Sequence, residues 1–240
     1  MIKVTVWNEY FKDKQGTGEV AKVYPEGFHN VIAAALNKEK DIKASASLIS
    51  DAEQGLTEKI LDNTDVLIWW GHCHHGEVED RFVRRVIDRV QRGMGAIFLH
   101  SAHKSKPFMQ LMGTSGYLCW REANEKERVW VSSPAHPIAA GLPESFVLPQ
   151  EEMYGEPFGI PSPDDTVFIG WFQGGNVFRS GVTFTREYGK IFYFQPGHET
   201  HPTFRDANVQ KVIANAVRWA APFVKVKDLN CPNVAALEAL

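Results

Sequence analysis

The sequence predicts an α/β protein with a doubly wound, mostly parallel sheet that is flanked by helices. Short apolar runs in the first half alternate with segments whose apolar residues recur every three or four positions, as in helices that pack on a sheet. Three apolar runs, at 66–70, 96–99 and 191–194, are bounded by turn residues, which is typical of strands buried on both faces of a parallel sheet. Strands that alternate with helices imply right-handed crossovers, and hence the doubly wound arrangement.

Four strands and four helices are predicted in the first half. A polar loop with Gly16 and Gly18 follows the first strand. The helix around 78–90 has the clearest pattern, because its first turn is acidic, its last turn is basic and Gly93 follows as a stop signal. The strands are Ile2–Trp7, Ile42–Ile49, Asp65–Trp70 and Ala96–Leu99, and the helices are Pro25–Leu36, Leu56–Leu61, Val78–Val90 and Lys104–Met112.

Beyond residue 113 glycine, proline and aromatic residues become more frequent, and strand signals dominate. We interpret these strands as β-hairpins inserted into a single domain that spans residues 1–240. The charged segment 121–128 indicates a solvated hairpin. A helix from about Asn208 to Ala220 is ended by Pro222, and the tail after it is only weakly patterned. The predicted strands of this half are Arg128–Val131, Ser145–Leu148, Thr166–Phe172, Gly181–Thr185 and Ile191–Phe194.

The composition is that of an ordinary globular protein, with 44% apolar and 23% charged residues. A net charge of −3 argues against a nucleic-acid partner, because nucleic-acid-binding proteins usually carry a basic face. The chain has no apolar run long enough for a bilayer span and enters its first strand without a signal peptide, so we expect no membrane partner. Three widely spaced cysteines fit a reducing compartment. We therefore expect a cytoplasmic protein.

Histidines follow three of the buried strands at the point where each strand ends. The carboxyl ends of parallel strands open onto the ligand crevice, so these side chains are expected to converge on one pocket. Several imidazoles around one pocket can act as acid and base near neutral pH. One of His100 and His103 is expected to face the crevice. The candidate catalytic residues are His72, His100, His103, His198 and Glu199.

Polar and aromatic side chains near the same strand ends are candidates for ligand binding. Two of them end the first strand, and one lies in the first turn of the following helix. Carboxylates and amides bind sugar hydroxyls, while aromatic faces pack on the apolar faces of sugar rings. The candidate set is Asn8, Glu9, His29, Trp70, Glu152 and Glu156. Glu151, in contrast, is interpreted as a solvated residue at a strand end.

A metal site is an alternative to metal-free acid–base chemistry. Imidazoles and a carboxylate from separate strand ends are the donors of a catalytic zinc or a related divalent ion. The expected ligands are His72, His103, His198 and Glu152, with zinc as the favoured ion. Because a local signature such as HExxH is missing, both alternatives stay open. A serine nucleophile at Ser101 is disfavoured, since nucleophile elbows have small residues on both sides and His100 precedes Ser101.

Four motifs carry a resemblance to a known family. They are Trp69-Trp70-Gly71-His72, His100-Ser101-Ala102-His103, Glu151-Glu152-Met153-Tyr154-Gly155-Glu156 and Pro196-Gly197-His198-Glu199-Thr200. The chain resembles the trehalose-utilisation (ThuA-like) family from Trp7-Asn8-Glu9-Tyr10 to Asn215-Ala216-Val217-Arg218-Trp219. The resemblance implies a flavodoxin-like variant of the class I glutamine amidotransferase-like fold. It also implies metabolism of trehalose and related disaccharides through oxidised (keto) sugars, with a small-molecule sugar as ligand.

The chain departs from true glutamine amidotransferases at the nucleophile. Those enzymes carry a cysteine in a Gly-x-Cys-x-Gly turn, where this chain has His100-Ser101-Ala102. Their partner His and Glu resemble His198 and Glu199, which are adjacent here rather than spaced. Without a thiolate the cysteine route to an acyl intermediate is closed, so glutamine hydrolysis is not expected.

The leading hypothesis is therefore an enzyme-like protein that acts on or binds a keto-sugar by acid–base or metal-assisted chemistry. The second is a non-catalytic sugar sensor or partner subunit, associated with a sugar dehydrogenase. The third is an amidotransferase with an unrecognised nucleophile. We also expect a homo-oligomer.

Overall fold

The computed structural model describes residues 1–9 and 18–239. Its strands are β1 (Ile2–Asn8), β2 (Ile42–Leu48), β3 (Val66–Trp70), β4 (Gly95–Leu99), β5 (Cys119–Val131), β6 (Ser145–Gly155), β7 (Asp165–Phe172), β8 (Val177–Arg186) and β9 (Gly189–Phe194). They form one sheet in the order β2-β1-β3-β4-β9-β8-β7-β5-β6. The first five strands of that order are parallel, and the last four continue the sheet in antiparallel pairs.

Some of the helices begin where a side chain caps the first turn. Ser105 accepts a hydrogen bond from the N–H of Phe108, and Asp206 accepts bonds from the N–H groups of Asn208 and Val209. The helices are α1 (Glu19–Val23), α2 (Phe28–Leu36), α3 (Glu58–Asp62), α4 (Asp80–Gln91), α5 (Lys106–Met112) and α6 (Ala207–Ala220). Short 3-10 turns cover Ala52–Gly55, His75–Glu77, His100–Lys104, Pro137–Ala139 and Pro202–Arg205.

Two apolar layers cover the parallel part of the sheet. On one face α2 and α6 pack on strand residues such as Val6 and Trp70. On the other face α3, α4 and α5 pack on Trp7, Trp69 and their neighbours, and the rings of Trp7 and Trp69 stack with centroids 3.8 Å apart. The central strands β3 and β4 are apolar and buried at every position, as the sequence pattern predicted. The predicted doubly wound α/β fold is confirmed.

The switch point of the sheet lies between β1 and β3. The chain leaves β1 toward the outer strand β2 and leaves β3 toward β4, so the two connections diverge. A crevice opens at the carboxyl ends of strands at such a point. The predicted site residues after β3, β4 and β9 therefore lie at one edge of the sheet.

The interpretation of segment 121–128 as a solvated hairpin was wrong. The segment belongs to β5, a strand of 13 residues in which Glu125 and Glu127 are buried. Partners from distant segments allow this burial, since Gly174 N–H donates to Glu125 and Ser180 Oγ donates to Glu127 over 2.8 Å. The predicted hairpins are thus an antiparallel extension of the main sheet.

Glu151 is also buried, contrary to the prediction of a solvated residue. Its strand β6 runs on to Gly155, seven residues beyond the predicted end at Leu148. Helix α2 begins later than predicted, because Gly27 with a φ of 79° lies at its N-cap. Helix α1 was not predicted. Gly16 of the polar loop predicted after β1 lies outside the described residues. So does Tyr10 of the segment Trp7-Asn8-Glu9-Tyr10, where the family resemblance begins.

Candidate functional site

A cleft of about 510 Å³ lies at the carboxyl edge of the parallel strands. Its volume falls in the range of small-molecule sites. Two exposed aromatic side chains, Trp120 (64% exposed) and Tyr117 (53% exposed), form part of its wall. The lining residues are His72, His75, Ser101, His103, Lys104, Tyr117, Leu118, Trp120, Glu122, Glu152, Tyr154 and His198.

His100 occupies the turn directly after β4 with a left-handed φ of 52°. This conformation is unusual for a histidine, and non-glycine residues that adopt it cluster at functional sites. The ring is fully buried, its Nδ1 lies 2.9 Å from the carbonyl oxygen of Gln195, and its Nε2 lies 3.0 Å from Glu152 Oε2. Burial disfavours the imidazolium, but the Glu152 carboxylate outweighs it and raises the pKa of His100 to about 9.

His72 and Glu199 form a hydrogen-bonded dyad. His72 Nδ1 lies 2.9 Å from Glu199 Oε1, and the imidazole is about one-third exposed toward the cleft. The bond to Glu199 raises the pKa of His72. Burial acts against ionisation of Glu199, yet the bond to His72 prevails and lowers the pKa of Glu199 to about 2. Glu199 thus orients the ring and leaves Nε2 for a ligand.

His198 lies at the centre of the cluster. Its backbone N–H donates to Glu151 Oε1 over 3.0 Å, and its Nδ1 lies 2.8 Å from Thr200 Oγ1. The Nε2 atom is 3.7 Å from Glu122 Oε2 and 3.8 Å from Glu199 Oε2. Burial lowers the pKa of His198 to about 4, and the charge of His100 adds to the effect.

The three imidazoles of His72, His100 and His198 surround one point. Their ring centroids are 5.3 to 6.3 Å apart, and each pair is steeply inclined. Gly197, with a φ of 138°, precedes His198 in the loop, and a Cβ there would lie 2.6 Å from the Phe204 ring. Only glycine suits this position. The predicted convergence of these histidines is what the structure shows.

His103 lines the cleft, whereas His100 is fully buried and contacts Glu152, which lines it. His103 Nδ1 lies 2.6 Å from the carbonyl oxygen of Gly116. This bond leaves the Nε2 lone pair of a neutral ring for other contacts, and burial lowers the pKa of His103 to about 3. Ser101 Oγ donates to the carbonyl of Gly71 over 2.8 Å, so its hydroxyl is engaged with the backbone.

Three groups of described residues bring possible metal-ligand atoms within 4.8 Å of one another. They are His72, His198 and Glu199; His100, Glu152 and His198; and Glu122, His198 and His201. The predicted ligand set of His72, His103, His198 and Glu152 does not coincide with any of them. His103 belongs to none of the three groups, and His100 stands in its place beside Glu152.

Most of the predicted ligand-binding residues form hydrogen bonds to other protein groups near the cleft. Glu9 accepts the N–H groups of Cys73 (2.5 Å) and His74 (2.9 Å), which fixes the loop that carries His72. Asn8 Nδ2 lies 3.0 Å from His29 Nδ1 in the interior. Direct ligand contact by these residues stays a prediction.

Trp70 and Glu156 are likewise engaged with the protein. The buried Trp70 indole donates to the Gly197 carbonyl over 3.0 Å. Glu156 lies 2.7 Å from Arg179 Nε and accepts the N–H of Phe158. Of the six predicted ligand-binding residues, Glu152 is the one among the cleft-lining residues.

Sequence reasoning missed several residues of the cleft region. Glu122 was assigned to the solvated hairpin, yet it lines the cleft and lies 3.3 Å from His201 Nε2. Tyr117 and Tyr154 line the cleft as well, but no sequence pattern of their own pointed to a role at the site. His201 follows His198 by three residues, and this spacing was the signal that could have identified it.

Comparison with known proteins identifies the family. The family model for ThuA, described as trehalose utilisation, matches residues 3–220. The chain belongs to the ThuA family. The resemblance noted in the sequence is thereby confirmed. A search of curated proteins gives no match.

Solved structures share the fold at low sequence identity. A ThuA-like protein from Bacteroides uniformis is 18% identical, with a TM-score of 0.63 and 91% of each chain covered. A second one from Parabacteroides merdae is 13% identical, with a TM-score of 0.64 over 94% of this chain and 92% of that one. A glutamine amidotransferase from Thermotoga maritima is 12% identical, with a TM-score of 0.51 over 91% and 97%. These likenesses show the fold alone. Within the described residues, no helix is both long and apolar enough to span a membrane.

Proposed function

We propose that this ThuA-family protein is an enzyme that transfers a proton on a keto-sugar derived from a disaccharide. The observation that carries the proposal is the His72–Glu199 dyad, whose imidazole opens into the same cleft as two exposed aromatic side chains. The family description, trehalose utilisation, supports a carbohydrate as the ligand.

The aromatic side chains support a sugar ring as the bound group. Trp120 and Tyr117 present large apolar faces at the cleft wall, where a ligand can cover them. Glu122, Glu152 and Lys104 line the same cleft and supply hydrogen-bonding partners for hydroxyl groups. Apolar faces beside charged groups match the two kinds of surface that a sugar ring has.

The dyad supports proton transfer as the reaction. A hydrogen on the carbon next to a ketone is acidic, because the electrons left behind delocalise onto the carbonyl oxygen. In the proposed step His72 Nε2 removes that hydrogen while the Glu199 carboxylate stabilises the resulting imidazolium. The imidazolium then returns a proton either to the same carbon, which completes solvent exchange, or to an oxygen that leaves as its bond to the next carbon breaks, so the protein is unchanged at the end.

Solvent exchange tests this proposal directly. The protein is incubated in D2O with trehalose that carries a ketone on one ring, and NMR follows the hydrogen next to the carbonyl. We expect the wild type to exchange this hydrogen, His72→Gln to slow the exchange by about 100-fold or more, and Glu199→Gln by about tenfold. His136→Gln, outside the residues that line the cleft, is the matched control.

Two results would contradict the proposal. Equal exchange in wild type and His72→Gln would remove His72 from the reaction. A wild type that binds the keto-sugar without exchanging its hydrogen would favour a non-catalytic sugar sensor.

A further inference from the structure

We infer that His100, Glu152 and His198 bind one divalent transition-metal ion, with zinc as the ion that the donor set fits best. The inference deepens the proposed function by naming the cation of the same cleft. It does not depend on the sugar chemistry, because its test measures metal binding to the protein without any sugar.

Buried oxygen atoms without an aligned hydrogen-bond donor are the first observation. Glu152 Oε2 and Glu199 Oε2 are both buried, and no aligned hydrogen-bond donor reaches them within the described part of the chain; the imidazole nitrogens beside them are His100 Nε2 at 3.0 Å and His198 Nε2 at 3.8 Å. A buried carboxylate oxygen without such a donor is costly, and such atoms in a native protein require an explanation such as a bound ion. Both oxygens belong to residues that surround His198.

The distance between Glu152 and His100 is the second observation. Glu152 Oε2 lies 3.0 Å from His100 Nε2, as a buried ion pair. Two ligands of a tetrahedral zinc with bonds of about 2.0–2.1 Å are separated by about 3.3 Å. This ion pair therefore has nearly the separation of two ligands of one ion, and the ion would take the place of the proton on His100 Nε2. The ligand atom of His198 lies within 4.8 Å of both.

The remaining polar atoms of the ligands are held by the protein. His100 Nδ1 lies 2.9 Å from the Gln195 carbonyl oxygen, and His198 Nδ1 lies 2.8 Å from Thr200 Oγ1. The first contact places the Nδ1–H of His100 on a carbonyl acceptor and leaves its Nε2 for the ion. His198 Nδ1 faces both the Thr200 hydroxyl and the Thr200 N–H, which is 3.3 Å away, so binding through His198 Nε2 requires the tautomer in which Nδ1–H donates to Thr200 Oγ1. The Gln195 side chain donates to the Glu152 carbonyl, which fixes the backbone of the third ligand.

The other two groups around His198 fit less well. In one of them Glu199 already bonds to His72, and in the other Glu122 is exposed. His100, Glu152 and His198 are all buried, while Glu152 and His198 also border the cleft. Two histidines and one glutamate with an open direction are the donors of catalytic zinc sites, whereas magnesium and calcium prefer oxygen ligands throughout.

Metal analysis of the full chain tests the inference. Purified protein is loaded with zinc chloride, desalted and analysed for bound metal, and zinc affinity is measured by calorimetry. We expect about one zinc per chain in the wild type, and binding at least tenfold weaker in His100→Gln and Glu152→Gln. His103→Gln, which alters another cleft histidine outside the three groups, should bind zinc as the wild type does.

Thermal unfolding with and without zinc shows whether each variant is folded. Zinc should raise the Tm of the wild type and of His103→Gln, and should leave the Tm of the two ligand variants unchanged. Cobalt in place of zinc should give visible bands of a tetrahedral site without the near-ultraviolet band of a thiolate ligand.

A wild type that retains no zinc would overturn the inference, as would ligand variants that retain wild-type affinity. Loss of zinc from His72→Gln with retention in His100→Gln would also overturn the assignment. Failure of metal binding with intact hydrogen exchange would leave the proposed function standing, and the reverse result would leave the metal site standing.

Discussion

Glu151 and Glu152 are neighbours in the sequence, yet their carboxylates have different surroundings. Adjacent residues of a strand point to opposite faces. Glu152 reaches the cleft, whereas Glu151 accepts the N–H groups of Gly197 and His198 and the hydroxyl of Thr203 in the interior. Glu151 therefore positions the loop that carries His198.

Replacing Glu151 measures that positioning role. In Glu151→Ala two buried N–H groups lose their acceptor, and we expect the free energy of unfolding to fall by about 2–4 kcal/mol. Burial raises the pKa of Glu151, so the isosteric amide is the matched control, and Glu151→Gln should cost about half as much because one acceptor oxygen remains. Urea denaturation compares the three proteins. Equal costs for both variants would show that the acceptor geometry does not matter.

His29 makes stability depend on pH. Burial, partly offset by Asp51, lowers the pKa of His29 to about 4. The unfolded chain therefore binds this proton first, so the contribution of His29 is complete above about pH 6.5 and is lost as the pH falls toward 4. Between pH 7.5 and 5 the loss is about 2 kcal/mol.

His29→Gln removes this titration, so the variant should lose about 2 kcal/mol less than the wild type between the two pH values. Urea midpoints at pH 7.5 and 5.0 give the comparison. Other buried histidines, such as His103, titrate in the same direction in both proteins, so the difference isolates His29. An unchanged pH dependence in the variant would rule out this role for His29.

The predictability of the site differs from residue to residue. His72 and His198 could be placed together because each follows a glycine at the end of a buried strand, and parallel strands end at one edge. The role of Glu9 could not be predicted, since its partners Cys73 and His74 lie 64 and 65 residues along the chain. Contacts of that range follow from tertiary packing, which leaves no local pattern.

Strand β5 brings an aromatic wall to the cleft. Its first half is exposed and carries Trp120 into the cleft, while its second half alternates buried and exposed residues within the sheet. The charged residues Glu125 and Glu127 on its inner side concealed the strand from sequence reasoning. Inward charges are compatible with a strand when other strands supply donors, as Ser180 of β8 does for Glu127.

Trp120 is expected to contribute substrate affinity and not the chemical step. Trp120→Ala should raise KM for the keto-sugar by about tenfold and leave kcat within about twofold, because stacking acts equally before and during the reaction. Trp171→Ala removes another exposed indole (53% exposed) from the neighbouring strand β7, outside the cleft, and serves as the control. Steady-state kinetics distinguish the two variants. A fall in kcat alone would place Trp120 in the reaction instead.

At the scale of the whole molecule, the two parts of the sheet were not equally predictable. The parallel half could be predicted because its strands are apolar and its helices amphipathic, so the local pattern of apolar residues shows which faces are buried. The antiparallel half is one continuous sheet with the first, and its register depends on pairings such as β5 with β7 that no local pattern shows. Since β5 and β6 supply Trp120, Glu122 and Glu152, the cleft exists because both halves are joined.

The C-terminal segment lies at the end of the sheet opposite the cleft. Val226 N–H donates to the Arg92 carbonyl over 2.9 Å, and Lys225 Nζ lies 2.8 Å from the Asp65 carboxylate at the start of β3. From Asp228 onward the described residues are exposed, including Leu237. The tail thus consists of a part that contacts the domain, around Lys225 and Val226, and an exposed part from Asp228 onward.

Two truncations separate these parts. Removal of the chain from Asp228 onward should change the free energy of unfolding by less than about 0.5 kcal/mol, because few contacts are lost. Removal from Phe223 onward should cost about 1–2 kcal/mol, since the backbone bond to Arg92 and the half-exposed ion pair with Asp65 disappear. Zinc binding and hydrogen exchange should survive in both, because the cleft is at the other end. Urea denaturation and size-exclusion chromatography test this. If removal from Asp228 onward destabilises the protein or lowers its oligomeric state, the exposed apolar residues of the tail are instead assigned to a contact with a second copy.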